Sequence, residues 1–230
     1  MYQHELGEHK EKRKLVPARM PVEAESAHDW QTMKEYLRRR GLSYETACHN
    51  GWYPSDCAGD SNLRIVMPAT NSVNMAYWQA RSVYDKDPRY QSPNVPRGDS
   101  VLQVWPLHMD YNPVAILCEG PMDALAAATH GIRGIALMGN NPTAETLHML
   151  STMLDADDVV TYFADRDAIK ESIEIVKSLQ KLGIYATVSD PSPYKDLASV
   201  PVKQREKVLQ AYSTIARSRH SVKKGVTRGH

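Results

Sequence analysis

Apolar and polar positions change rhythm several times along the chain. Residues 1–28 mix charge, proline and few large apolar groups, which suits a flexible basic arm or linker without a core of its own. From Asp29 to Arg40, Trp30, Met33, Tyr36 and Leu37 recur at helical spacing, and Gly41 supplies a stop. Ser43, placed before Ala47, suits the cap of a second short helix. Between Arg64 and Val104 the runs LRIVMPA, VNMAYWQARSVY and VLQVW are short, β-branched and aromatic, and Asn, Pro, Gly and Asp separate them. The block 29–112 is therefore expected to be a small, mainly antiparallel α+β subdomain.

After Pro113 the texture changes again. VAILCEG is a fully apolar strand pattern, MDALAAATH is helical, GIALMG is a second strand, and TAETLHMLSTML is a helix. DVVTYFAD, AIKESIEIVKSLQKLG and IYATVSD continue the alternation as strand, helix and strand. Such alternation predicts an α/β fold, a mostly parallel sheet flanked by helices, over about 113–200. The segment 201–230 is expected to form a terminal helix running into a basic tail, since Arg217, Arg219, Lys223, Lys224 and Arg228 are met by no acid.

The 230 residues are 42% hydrophobic and 24% charged with net charge +1, an ordinary globular balance that favours neither disorder nor a fibrous class. No apolar run approaches the roughly 20 residues of a membrane span, and the charged N-terminus is no signal peptide. A cytoplasmic protein, with no membrane partner, is the expectation. Three cysteines, Cys48, Cys57 and Cys118, form no C-x2-C pair, which argues against a disulfide framework or a zinc module. Gly-x4-Gly-Lys-Ser/Thr, Gly-x-Ser-x-Gly, His-Glu-x-x-His and Gly-x-Gly-x-x-Gly are all absent.

Chemistry is concentrated in the acids that end the predicted parallel strands, where functional groups collect in open α/β sheets. The first strand ends in Glu119-Gly120 with Asp123 in the next turn; the third ends in Asp165-Arg166-Asp167; the fourth leads through Asp190 to Lys195-Asp196. If the strand continues through Asp165 and Asp167, both project to the same side. Oxygen-only ligation selects Mg2+ or Mn2+, and such ions serve phosphoryl transfer. Asp123 also suits a helix cap or a support for the metal ligands.

Leu117 to Leu125 (LCEGPMDAL), Ala136 to Asn141 (ALMGNN) and Tyr162 to Asp167 (YFADRD) together resemble, in order, the three signature segments of the TOPRIM domain of bacterial and phage replicative primases. Lys195-Asp196 resembles the late Lys-Asp pair of phage primases. The resemblance implies that Glu119, Asp165, Asp167 and Asp196 hold Mg2+ or Mn2+, with Asp123 an additional candidate. It implies that Glu119, Asp165 and Asp167 are catalytic, Glu119 as general base for a 3′ hydroxyl. One departure is Ala168-Ile169-Lys170 after the second aspartate, where the family continues toward Ala-Gly.

The upstream block extends the likeness. Tyr36 to Ser43, Leu63 to Pro68, and the stretch from Gln79 to Gly98 resemble the primase N-terminal subdomain. By that carry-over Arg40, Arg81, Arg89, Arg97 and Lys195 would bind template and nucleotide, whereas Arg38 and Arg39 suit a solvated helix end. The implied activity is synthesis of short RNA primers on single-stranded DNA from ribonucleoside triphosphates, in a monomer that lacks the zinc module and has its replicative helicase on another chain, as in a phage acting in the host cytoplasm. A TOPRIM metal-dependent nuclease and a non-catalytic module binding single-stranded DNA or a helicase remain alternatives. A topoisomerase lacks room for a nicking tyrosine domain.

Overall fold

In the computed structural model, residues 19–56, 62–72, 76–108, 113–139, 141–155, 157–189, 193–211 and 214 are described. Residues 1–18 of the arm, the tail from Arg217 onward, Cys57 and Asp190 lie outside them. Helix α1 (Ala27–Arg39) starts under Ser26, whose hydroxyl accepts from the His28 amide, and buries Met33, Tyr36 and Leu37. Gly41, at φ +65°, ends it, a backbone conformation that glycine adopts without steric cost. Ser43 caps α2 (Tyr44–His49) by accepting from the Thr46 amide at 3.0 Å.

β1 (Tyr53–Ser55), β2 (Arg64–Ala69), β3 (Tyr77–Ser82) and β4 (Tyr90–Gln91) form an antiparallel sheet in that order. The described part of the N-terminal arm is not free, contrary to the expectation for residues 1–28. Ala24 donates its amide to Pro54, Tyr53 and Ser55 donate their hydroxyls to Pro21 and Val22, and the indoles of Trp78 and Trp30 donate to Arg19 and Ala24. Polar partners on the sheet supply what the segment's own apolar content does not.

The second sheet contains β5 (Leu102–Val104), β6 (Val114–Cys118), β7 (Arg133–Ala136), β8 (Val159–Phe163) and β9 (Tyr185–Ser189), in the order β5-β7-β6-β8-β9. β7, β6, β8 and β9 are mutually parallel; β5 adds an antiparallel edge. The fold is thus the expected α/β arrangement behind an antiparallel N-terminal sheet. β5 sits differently from the sequence reading, which grouped VLQVW with the upstream unit: a short apolar run does not disclose its partner.

Alternation along the buried strands divides two cores. Val114, Ile116, Cys118, Val159 and Phe163 face α3 (Pro121–Thr129) and the N-terminal unit. Ala115, Leu117, Val160 and Tyr162 face α4 (Ala144–Met153) and α5 (Ile169–Lys181) through Leu150, Ile175, Val176 and Leu179. α3 lies so close to β7 that a Cβ on Gly134 would stand 2.1 Å from the Ala124 carbonyl oxygen. Helical turns over 202–211 return to the first core through Leu209. Among the described residues no helix is long and apolar enough to cross a membrane.

Candidate active site

In the order β7-β6-β8-β9 the connection that follows β6 runs to one side and the connection that follows β8 to the other. That makes a crevice beyond the carboxyl ends of β6 and β8, the favoured place for a ligand in an open α/β sheet. A cavity of about 410 Å³ lies there, lined by Glu119, Asp123, Asp165 and Asp196 on one wall and by Arg40, Arg81, Arg89 and Tyr90 on the other. The acidic wall comes from the parallel sheet, the basic wall from the N-terminal unit.

Glu119 follows β6 directly, and Asp165 follows β8 in extended backbone without spending its carboxylate on a cap. Asp196 precedes a 3-10 turn, Leu197–Ser199, and one of its oxygens accepts from the Ser199 amide at 2.7 Å. The loops bearing Asp165 and Asp196 are tied together by the Arg166 amide, which donates to the Lys195 carbonyl at 3.0 Å. Asp123, in the first turn of α3, does not cap its own helix. Its carboxylate accepts from the Ala198 amide at 2.7 Å and so holds the loop of Asp196.

Asp167 departs from the same-side expectation. β8 stops at Phe163 and residues 166–168 coil into a 3-10 turn, so period-two geometry ends before Asp167, which is exposed and outside the cavity lining. After Ala168, Ile169 lies at φ −61° and opens α5, and no residue from 168 to 170 has positive φ, so the turn has no need of the family's glycine. Lys195 is exposed beside the acids, and its charge favours ionisation of Asp165.

The acids are crowded. Burial first, then the charges of Glu119 and Asp196, pushes Asp165 up to about 6. Burial and then Asp196 push Asp123 up to about 7, against the opposing hydrogen bond from Ala198. Among the described residues, the Asp165 and Glu119 carboxylates have no hydrogen-bond partner. No three His, Cys, Asp or Glu side chains among the described residues make a ready-made metal cage. That arrangement still fits Mg2+ or Mn2+: the donors lining the acidic wall are all oxygens, their repulsion is only partly offset by Lys195 and Arg40, and Mg2+ takes one or two carboxylates together with waters and substrate phosphates.

The basic wall is ordered by aromatic rings. Arg81, buried in β3, donates to the hydroxyls of Tyr36 and Tyr90, the latter at 2.9 Å, and to Asp85 at 3.2 Å. Its guanidinium also lies 5.1 Å from the Tyr90 ring centre, and Arg40 lies 5.6 Å from that of Tyr36. Arg40 ends α1, and Arg89 is exposed at the mouth beside β4. Arg38 and Arg39 are exposed helix-end cations, as expected.

Arg97 is not part of this wall. It donates to the carbonyls of Leu137 at 2.9 Å, Met138 at 3.1 Å and Asn141 at 2.8 Å, holding the loop after β7. It also lines a separate cavity of about 710 Å³ with Tyr77, Val95, Pro96 and Met149. That cavity is larger, but among its lining residues only Asp99 and Glu145 are acids and only Arg97 is an arginine, and Arg97 is committed to backbone carbonyls. Sequence reasoning missed Tyr36 and Tyr90, which orient Arg81, and Arg64, buried in β2 with its guanidinium donating to the Pro88 carbonyl at 2.9 Å just before Arg89. It also missed Arg205. An arginine in a strand or terminal helix carries no signal of this kind until the chain is folded.

Fold and site together define a Toprim-like domain: residues 116–200 match that family. About four fifths of the chain carries the fold of a primase catalytic core. The zinc-binding and RNA polymerase domains of Aquifex aeolicus primase superpose with TM-score 0.60 at 17% identity, over 80% of this chain and 55% of that one. The Escherichia coli primase catalytic core gives 0.59 at 16% identity, over 80% and 72%. A DnaG primase catalytic domain bound to ssDNA gives 0.50 at 16% identity, over 70% and 67%. The chain therefore spans about half the length of the Aquifex chain. No curated protein sequence matches it significantly.

Proposed function

We propose that this chain is a primase-type nucleotidyltransferase that joins ribonucleoside triphosphates into short RNA primers on single-stranded DNA. The observation that carries this reading is the single cavity with carboxylates on one wall and arginines on the other. Acids alone would suit a metal site of any purpose, and arginines alone any anion. Facing each other, they suit a polyanion bridged to protein by divalent cations. The ssDNA on one structural neighbour supports single-stranded DNA as the template.

Glu119, Asp165 and Asp196 would hold Mg2+ or Mn2+, with Asp167 within electrostatic reach of Asp165. When bound, the ions supply charge neutralisation for a transferring phosphoryl group. Glu119 would take the proton of a 3′ hydroxyl as its oxygen bonds to the α-phosphorus and pyrophosphate leaves. Arg40 and Arg89 hold triphosphate or template phosphates at the opposite wall, and Lys195 adds positive charge beside the acids. Arg81 is fixed by its tyrosines, so the wall is ordered before substrate arrives.

A primer-synthesis assay tests the proposal: purified protein, mixed-sequence single-stranded DNA, labelled ribonucleotides, and Mg2+ and Mn2+ in parallel. Short labelled RNA that disappears in Asp165→Ala is the expected result. Degraded DNA that the variant spares would establish a metal-dependent nuclease instead. Intact DNA, no RNA and retained DNA binding would establish a binding module.

A further inference from the structure

We propose that residues 201–211 clamp the two walls of the cavity at a fixed separation, with Arg205 as the positioning residue. The inference rests on the metal site proposed above.

Arg205 is 1% exposed, and its guanidinium serves backbone on both sides of the site. One terminal nitrogen donates to the Gly41 carbonyl at 2.9 Å. The other donates to the carbonyls of Ala198 at 2.9 Å, Val200 at 3.1 Å and Arg40 at 3.4 Å. Arg40 and Gly41 close α1 and carry the basic wall; Ala198 and Val200 follow Asp196 on the acidic wall. A buried cation is costly unless its hydrogen bonds are met; both terminal nitrogens of Arg205 are bonded, its Nε is not, and the bonds join segments more than 150 residues apart in sequence.

Two further contacts point the same way. Gly41 receives Val202 so closely that a Cβ would lie 2.1 Å from the valine Cγ2, so the segment is seated on the turn itself. On the other side the Tyr194 hydroxyl donates to Gln204, gripping the loop just before Lys195 and Asp196. Ala198 then passes the constraint inward, because its carbonyl is held by Arg205 while its amide is held by Asp123. The clamp thus reaches the metal-facing carboxylates through a single residue's backbone. Supports of metal ligands matter in proportion to the order they impose, typically 10-fold or more in affinity.

Lysine retains the charge but not the fork that serves four carbonyls at once. Arg205→Lys is therefore compared with wild type by amide hydrogen exchange and by Mn2+ binding to the protein alone, neither of which needs activity. Exchange is expected to accelerate over 40–43 and 196–200 beyond any change over 65–67 in β2, and the Mn2+ dissociation constant to rise about 10-fold. Arg205→Met repeats the test with the charge removed; if it does not fold, the lysine variant decides alone. Exchange that rises no more at the clamp than in β2 overturns the proposal. So does accelerated exchange with unchanged Mn2+ affinity, which would make the segment a structural tie only. If wild type binds no Mn2+, the proposed function fails instead, and exchange alone upholds or overturns the clamp.

Discussion

The two walls of the cavity are built on opposite principles. On the acidic wall the carboxylates of Glu119 and Asp165 have no hydrogen-bond partner among the described residues, and burial first, then neighbouring acids, raise Asp165 and Asp123 above the usual carboxylate range. On the basic wall Arg81 is satisfied by two tyrosines and Asp85, and Arg40 stacks on Tyr36. One wall stores repulsion that a cation would relieve; on the other Arg81 is already fully bonded, although the buried Nε of Arg40 has no partner. Stability should therefore respond with opposite signs to changes on the two sides.

The largest expected effect is on the acidic wall. Asp165→Ala should lower primer synthesis at least about 100-fold, the scale of losing one preorganised electrostatic contact to a transition state. Its metal-free melting temperature should hold or rise, because a half-buried carboxylate is removed from between Glu119 and Asp196. A variant that lost activity and stability together would break the comparison, since Asp165 would then be a structural group.

The opposite outcome is expected across the cavity. Arg81→Leu leaves the hydroxyls of Tyr36 and Tyr90 without their buried donor, at a cost of roughly 2 kcal/mol or more. Chemical denaturation reads that loss directly. Unchanged stability would mean that the tyrosines find other partners and that the wall is not preordered.

These contrasts explain how far the sequence could be read. The acidic wall was legible because fully apolar strands announce a parallel sheet, and a parallel sheet delivers its strand-end residues to one rim. Asp167 was the exception, because whether β8 continues past Phe163 or coils into a turn depends on packing that no short pattern encodes. On the basic wall, side chains of one type took different tasks. Arg40, Arg81 and Arg89 line the cavity, Arg97 holds a loop, and Arg64 and Arg205 are buried supports. Long side chains reach several neighbours, and only tertiary contacts choose among them.

Titration sharpens the comparison further. Asp165 and Asp123 have folded-state values of about 6 and about 7 against an ordinary 3.8. An acid raised in the folded state leaves stability intact below its unfolded value, and stability is lost as pH rises through the folded value. Metal-free protein should accordingly lose stability, by up to a few kcal/mol, between about pH 4 and 7. Saturating Mg2+ or Mn2+ should flatten that decline in melts across the range. A decline that metal leaves untouched would separate the acidic crowding from ion binding.

The smallest effects distinguish two arginines that the sequence grouped together. Arg89 is exposed at the cavity mouth, so Arg89→Ala should alter stability by no more than about 0.5 kcal/mol while weakening nucleotide or single-stranded DNA binding. Its contribution should also shrink as salt is raised, as expected for a solvent-facing phosphate contact. Arg97→Ala should do the reverse, because three carbonyls of the loop after β7 lose their donor. About 1 kcal/mol of stability should go, with the dissociation constant for nucleotide unchanged. Binding titrations and denaturant melts on both variants, at two salt concentrations, decide the matter. If Arg97→Ala weakened binding as much as Arg89→Ala did, the anionic ligand would extend beyond the cavity toward that loop, and the basic surface would be wider than the wall facing the carboxylates.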